Sequence, residues 1–416
     1  MKVVIKMNDT NANSSKKIFI IGSGIAGLSA AKSARSSDLK ADITIITMDS
    51  HPPYYRLRLC ELIGREFTPD SFYIHPVSWY AENNITLLLS HLVKSIDPKL
   101  KVIVTDKGIF DFDTLIVASG SKPVIPPCSG VNSSAVHSIW NVDDITKINA
   151  DLKDSKSACV IGGGLLGLET AYMINKMGIS TTLIEGMPWL LPKQLDKDGA
   201  DVFEGKVKSL GLHVITGKSV KEFRCDETGH VRETVFEDGQ SVKSDIVIVS
   251  VGVRPNTELC ADSGVLVDRF IPVNEKMQTN YDFIYAAGDV SSYDKKWSGQ
   301  WIVASQQGQV AGVNSAGITK NYEVQSSPYT LTTMESKIVV AGDVDVPLEI
   351  GAQNFDDIGI IKKSNPDTFS YVKLIFKHHI LSGGILVGDA AKNSSKLQTF
   401  IKNAAPLESV SISEFL

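Results

Sequence analysis

No two cysteines of this 416-residue sequence lie close together. Cys60, Cys128, Cys159, Cys225 and Cys260 are odd in number, and the nearest two, Cys128 and Cys159, are 31 residues apart. That spacing excludes a redox dithiol of the Cys-x-x-Cys kind and half of a zinc site, so no metal is expected. A scattered odd set fits reduced thiols in a reducing compartment. No apolar run approaches the roughly 18 residues of a membrane span. Positive charge is short as well: 42 Lys and Arg against 47 Asp and Glu leave a net charge of −5, without the basic field that nucleic acid or anionic lipid attracts. Met1 to Lys17 lacks the apolar core of a secretory signal and reads as a flexible polar leader, residues 1–16 of the domain plan. These absences leave a cytoplasmic globular protein, which at roughly 150 residues per domain has about three domains.

What the sequence has is a duplicated pattern. The apolar strand Lys17 to Ile21 runs into Gly22-Ser23-Gly24-Ile25-Ala26-Gly27 and a helix-like stretch, then a second strand ending at Asp49. The same order returns 140 residues later, with Ala158 to Ile161, Gly162-Gly163-Gly164-Leu165-Leu166-Gly167, a helical run, and a strand ending at Glu185. A separation that long means duplicated domains rather than a repeat array. Alternating strands and helices imply parallel sheets covered by helices.

The chemistry explains the glycines. Gly22 permits a tight turn, Gly24 lets backbone approach a pyrophosphate, and Gly27 lets the helix pack on the strand; Gly162, Gly164 and Gly167 repeat the set. The helix N-terminus then offers unpaired N–H groups to an anion. Asp49 and Glu185 stand where a carboxylate accepts ribose hydroxyls. Beside Glu185 a 2′-phosphate meets repulsion, and no Arg or Lys lies between Glu185 and Leu191 to offset it, which favours NADH over NADPH. Two dinucleotide sites in one chain suit a tightly bound FAD and an exchanging NADH.

Further motifs resemble the two-dinucleotide-binding flavoprotein reductases of the pyridine nucleotide-disulfide oxidoreductase superfamily. They are Ala118-Ser119-Gly120 after a strand, Ile284-Tyr285-Ala286-Ala287-Gly288-Asp289-Val290, and Gly252-Val253-Arg254-Pro255-Asn256. The resemblance covers Lys17 to about Gly317. It implies an α/β fold of two Rossmann-like domains, the NADH domain (127–254) inserted into the FAD domain (17–126 and 255–324), with a small C-terminal α+β domain (325–416). Pro53-Tyr54-Tyr55-Arg56-Leu57-Arg58-Leu59 with Glu61-Leu62-Ile63 looks most like the NADH:rubredoxin oxidoreductase group, although Leu57 replaces its usual proline. That likeness implies electron transport to a small rubredoxin-like protein, with no nucleic-acid or membrane partner and the oligomeric state left open. It also implies roles. Asp289 would hold the flavin ribitol, Ala118 and Gly120 would form the turn beside FAD, and Arg56 and Arg58 would lie near the isoalloxazine. Val93 would contact adenine through its backbone, and a helix beginning at Ala304 would point at the flavin pyrimidine. Glu169 and Gly252 would serve the nicotinamide.

Two other functions stay open at this point. Cys60 lies four residues past Arg56, the offset of the redox cysteine in the NADH oxidase/peroxidase group, which cycles through a sulfenic acid. Against it, Arg56-Leu57 replaces that group's Ser-Phe, and Ile25 replaces its histidine. The other alternative is a flavoprotein that senses NADH without turnover. Remaining candidates read as structural. Asp196 caps a helix, Asp143 and Asp144 start one, Trp189 packs, and His378-His379 lies in a strand with its rings on opposite faces.

Overall fold

The computed structural model describes residues 15–324, 328–344, 353–354 and 357–415. Residues 1–14 of the expected leader, and residues 325–327 at the start of the expected C-terminal domain, lie outside the described residues. The chain forms two compact units. The first contains residues up to 56, 68–122 and 253–324; the second contains 57–67, 123–252 and 325 onward. Residues 57–67 thus pack with the second unit although the chain on either side of them belongs to the first.

In the first unit a strand of β-branched and aromatic residues, Lys17–Ile21, lies between Thr114–Val117 and Asp42–Ile46. Ile284–Ala286 and Ile85–Leu88 complete a five-stranded sheet, and every pairing is parallel. Its strands are apolar along their length because both faces are covered, as a parallel sheet requires. Ile18, Ile20, Ile43, Ile45 and Ile116 are buried in one cluster with the alanines of the helix Ile25–Ser37. That helix crosses the helix Trp301–Ser315 at backbone contact: a Cβ on Gly308 would stand 2.2 Å from the Ala26 carbonyl oxygen, and one on Gly312 equally close to that of Ala30.

The second unit repeats the plan. Its parallel sheet runs His213–Thr216, Ser180–Glu185, Ser157–Ile161, Ile246–Val249, Val136–Ser138. The helix Val142–Leu152 opens on a capping box in which Asn141 and Asp144 bond each other's backbone N–H groups, as the Asp143-Asp144 pair suggests. The C-terminal part is an antiparallel sheet ordered Tyr329–Thr333, Ser336–Gly342, Ile380–Val387, Ser370–Lys377, Ile358–Asn365, Gln353–Asn354. His378 and His379 are not in a strand. They form the two-residue turn between Ser370–Lys377 and Ile380–Val387, both with positive φ (48° and 62°), the twist that a tight hairpin demands.

A buried ion cluster joins this sheet to the helix Lys197–Ser209. Asp196 caps the helix by accepting from the Gly199 N–H (3.2 Å), and its other oxygen accepts from Tyr371 Oη (2.9 Å) and lies 2.9 Å from Lys362 Nζ and 3.3 Å from Lys373 Nζ. The side chains of Asp196 and Lys373 are 5% and 6% exposed. Such burial is tolerated only because each charge has a partner.

Candidate functional site

Two glycine turns, one per unit, share their backbone construction. Gly22 donates to the Ile46 carbonyl (2.8 Å) and Gly162 to that of Ile184 (2.7 Å). Both have φ above 100°, and a Cβ would fall 2.1 Å from Ala118 O at Gly22 and 2.1 Å from Ser250 O at Gly162. Only glycine fits there, on grounds of conformation and of space. At Gly24 and Gly164 the Cβ direction meets nothing within 4 Å. Each is the N-cap of its helix, without a side-chain cap. The first N–H groups of both helices therefore face an open cradle, which fits a dinucleotide pyrophosphate and its negative charge. Gly27 and Gly167 pack against the carbonyl oxygens of Gly22 and Gly162, where a Cβ would come within 2.0 and 1.9 Å.

The strand ends beside the two turns differ. Pairing sets Ile46 against Ile21 and Ile184 against Ile161, so the residue after each is Thr47 in the first unit and Glu185 in the second. Glu185 accepts from the N–H groups of Gly163 (2.6 Å) and Met187 (2.7 Å), which aims its carboxylate across the turn. In the first unit the same place holds two hydroxyls, with Ser23 Oγ donating to Thr47 Oγ1 at 3.1 Å. Sequence reasoning missed this pair. Counting residues from the glycines led to Asp49, whereas strand register leads to Thr47. Asp49 lies two residues further on, where it accepts from the His51 N–H (3.1 Å) and from Tyr54 Oη (3.2 Å), 3.8 Å from the Arg56 guanidinium.

The first unit gathers the other residues expected at the flavin side into two laced turns. Asn256 binds the Ala118-Ser119-Gly120 turn through its N–H to Gly120 O (2.9 Å) and its amide to Ser119 O (2.9 Å), while Ser119 Oγ donates to Asn256 O (2.8 Å). Ser121 Oγ donates to Asp289 Oδ2 (2.7 Å) and fixes that carboxylate. Gln307, on the Trp301–Ser315 helix, accepts from the Gly288 N–H (2.9 Å), and Trp297 Nε1 donates to Asp289 O (3.0 Å). The helix begins at Trp301, three residues before the expected Ala304, which is its first buried residue. Val93 opens the strand Val93–Asp97 and pairs with Thr105, next to an irregular register at Ser95.

In the second unit Gly252 follows the strand Ile246–Val249, and its carbonyl accepts from the Val124 N–H (2.9 Å). Glu169 lies in the first turns of the helix Leu165–Lys176. Burial, reinforced by the negative charge of Glu61, pushes its carboxyl up to about 7. Arg58 is in this unit too, its Nε and Nη2 on Glu61 at 3.0 and 2.8 Å. Cys60 is 4% exposed, its Sγ 3.6 Å from Thr170 Oγ1 and 4.0 Å from Leu166 O. Burial pushes this thiol up to about 12, so it holds its proton at neutral pH and is a poor nucleophile. Cys159 and Cys260 are buried and pushed up likewise. Trp189 packs with its Nε1 on Leu195 O (3.1 Å). Among the described residues there is no cluster of three metal-ligating side chains, and no helix is long and apolar enough to cross a membrane.

A family model for pyridine nucleotide-disulphide oxidoreductases matches residues 16–308. The chain is 31% identical over 402 residues to the NADH-rubredoxin oxidoreductase of Clostridium acetobutylicum, which covers 95% of this chain and 97% of that protein. It is also 31% identical over 401 residues to a nitrite reductase of Bacillus subtilis, covering 96% of this chain but only about half (49%) of that longer protein. The crystal structure of the Clostridium acetobutylicum NADH:rubredoxin oxidoreductase superposes with a TM-score of 0.80 at 30% identity, over 97% of this chain and 99% of the other.

Proposed function

This chain belongs to the pyridine nucleotide-disulphide oxidoreductase family, and from that premise we propose that it carries electrons from NADH through FAD to a small rubredoxin-like electron-transfer protein. It is an FAD-dependent oxidoreductase, and FAD and NADH are its cofactors. FAD, when bound, supplies a group that takes up a hydride equivalent and can give electrons back one at a time. Everything else is the work of this chain's residues. Gly22, Gly24 and Gly27 cradle the FAD pyrophosphate, with the Thr47 and Ser23 hydroxyls and Asp49 at the ribose end. Ala118, Gly120 and Val93 line it through backbone groups. Asp289, oriented by Ser121, takes the ribitol hydroxyls. The Trp301–Ser315 helix, which includes Ala304, brings its positive end toward the flavin pyrimidine. Arg56, steadied by Asp49, supplies positive charge near the flavin. Gly162, Gly164 and Gly167 take the NADH pyrophosphate, Glu185 the adenosine ribose, and Glu169 and Gly252 the nicotinamide end.

The observation that carries the one-electron exit is Cys60. The thiol at the redox offset is sealed between Thr170 and Leu166 and keeps its proton. That disfavours a sulfenic-acid cycle and leaves the flavin as the donor to the acceptor. The test is anaerobic stopped-flow reduction with NADH, followed by mixing with rubredoxin, oxygen or a small quinone. Rubredoxin should reoxidise the flavin fastest. Reoxidation by oxygen outpacing rubredoxin would move the reading to the oxidases, and reduction without any competent acceptor would favour an NADH sensor.

A further inference from the structure

Residues 57–67 form a strap across two helices of the second unit. Leu62, Gly64 and Arg65 are clamped by one side chain: Asn149 Oδ1 accepts from the Gly64 N–H (2.8 Å), and its Nδ2 donates to Leu62 O (2.8 Å) and Arg65 O (3.0 Å). Cys60, by its contacts to Thr170 and Leu166, seats the start of the strap on the same turns of the Leu165–Lys176 helix that carry Glu169. The next residue is Glu61. Its carboxylate is gripped by Arg58 and acts on Glu169 through its charge. No hydrogen bond among the described residues holds Glu169 itself, and burial and Glu61 are what act on it. The other titratable groups facing it are Cys60 on the strap and Tyr329 on the strand Tyr329–Thr333.

We propose that the strap belongs to the NADH site, with Glu61 as a positioning residue that sets the charge of Glu169 and Arg58 as the cation that tempers it. The inference rests on the reading of Glu169 as the nicotinamide contact, and it moves Arg58 from the flavin to the NADH side. An ionised Glu169 accepts a charge-assisted hydrogen bond from the carboxamide NH2; a protonated one offers only the weaker neutral acceptor. Dinucleotide affinity therefore rises as pH rises through the Glu169 titration. Glu61 is an exposed like charge that delays this ionisation, and Arg58 offsets part of Glu61's field.

Binding of NAD+, a probe that cannot reduce the flavin, is measured on the FAD-loaded enzyme by calorimetry from pH 5.5 to 8.5, in two buffers of different ionisation enthalpy. The wild type should show a step in affinity and release protons on binding below the midpoint. Glu61→Gln should move the midpoint down by about 0.5–1 unit, Arg58→Gln should move it up by a smaller amount, and Glu61→Asp should restore it. Glu169→Gln should abolish both the step and the proton release. A structural defect alone would change affinity at every pH without moving the midpoint. A pH-independent wild type, or midpoints unmoved in Glu61→Gln and Arg58→Gln, overturns the inference while NADH binding stands. A holoenzyme that binds no NAD+ and is not reduced by NADH overturns the functional reading, and this inference with it.

Discussion

Replacing Glu185 by Ala tests the nucleotide preference where the geometry is most explicit. Two backbone N–H groups, Gly163 at 2.6 Å and Met187 at 2.7 Å, hold the carboxylate at the turn, so its orientation toward a ribose costs little extra entropy on binding. A charge-assisted hydrogen bond to a ribose hydroxyl contributes about 1.5–3 kcal/mol, or about 10- to 150-fold in kcat/KM for NADH. NADPH has no such bond to lose. Its 2′-phosphate at ~5 Å from the carboxylate feels about 3 kcal/mol of repulsion per charge at an effective dielectric of ~20, less where water screens it. Removing Glu185 therefore weakens NADH and relieves NADPH, and the NADH:NADPH ratio of kcat/KM should fall by at least about tenfold. Glu185→Gln separates the contributions: it keeps one acceptor for the backbone, removes the charge, and should lie between wild type and Ala. The assay is steady-state reduction of an artificial one-electron acceptor with each nucleotide, at matched FAD content. A ratio unchanged in both variants would refute the argument.

Other perturbations follow from single contacts. Gly308→Ala places a methyl 2.2 Å from Ala26 O and should lower stability by about 1–3 kcal/mol through overpacking, with loss of flavin absorbance on gel filtration. Cys60→Ser should keep turnover with an artificial acceptor within about twofold, and the native thiol should resist iodoacetamide at pH 7 because burial holds its proton; rapid labelling, or loss of turnover at full FAD content, would contradict this. Although burial opposes its ionisation, Asp196 is held below the usual carboxylate range by Lys362, Lys373 and Tyr371. Its stabilisation is therefore present above the unfolded carboxyl pKa and lost as pH falls through the lower folded value, and Lys373→Met should remove about 3–5 kcal/mol in urea melts at pH 7 and less in acid. Rubredoxin reduction should slow as salt rises, because the Debye length falls to ~3 Å at 1 M, while reduction of a neutral quinone stays level.

The two glycine turns were legible in the sequence because their cause is local. Gly22 and Gly162 need a positive φ set by the turn itself, and the Ala118 and Ser250 carbonyls that would crowd a Cβ, though distant in sequence, only add to that need. The helix start at Asp143-Asp144 and the cap at Asp196 were legible for the same reason. Register was not. Whether Thr47 or Asp49 matches Glu185 depends on which residues pair across the sheet, and counting along the chain cannot supply that. The His378-His379 turn was hidden because its positive φ values are carried by residues that usually avoid them, imposed by the strands on either side. The company of Arg58 was the least legible, since sequence continuity placed the 57–67 strap with the first nucleotide fold while Asn149 and Thr170 hold it in the second unit.

That strap also fixes an order of events during synthesis. Residues 57–67 leave the ribosome about 80 residues before Asn149 and about 100 before Thr170, at roughly 5–20 residues per second. For several seconds they have no host. The first unit waits even longer, because its edge strand Ile284–Ala286 and its helix Trp301–Ser315 are made after the whole insert. The insert is thus expected to close first, capturing the strap from a chain that is still open, and the first nucleotide fold to close last. A gene fragment spanning only residues 123–252 would leave Asn149 and Thr170 facing water, so a soluble nucleotide-binding piece of this protein needs the strap supplied as well, grafted ahead of residue 123 through a short linker.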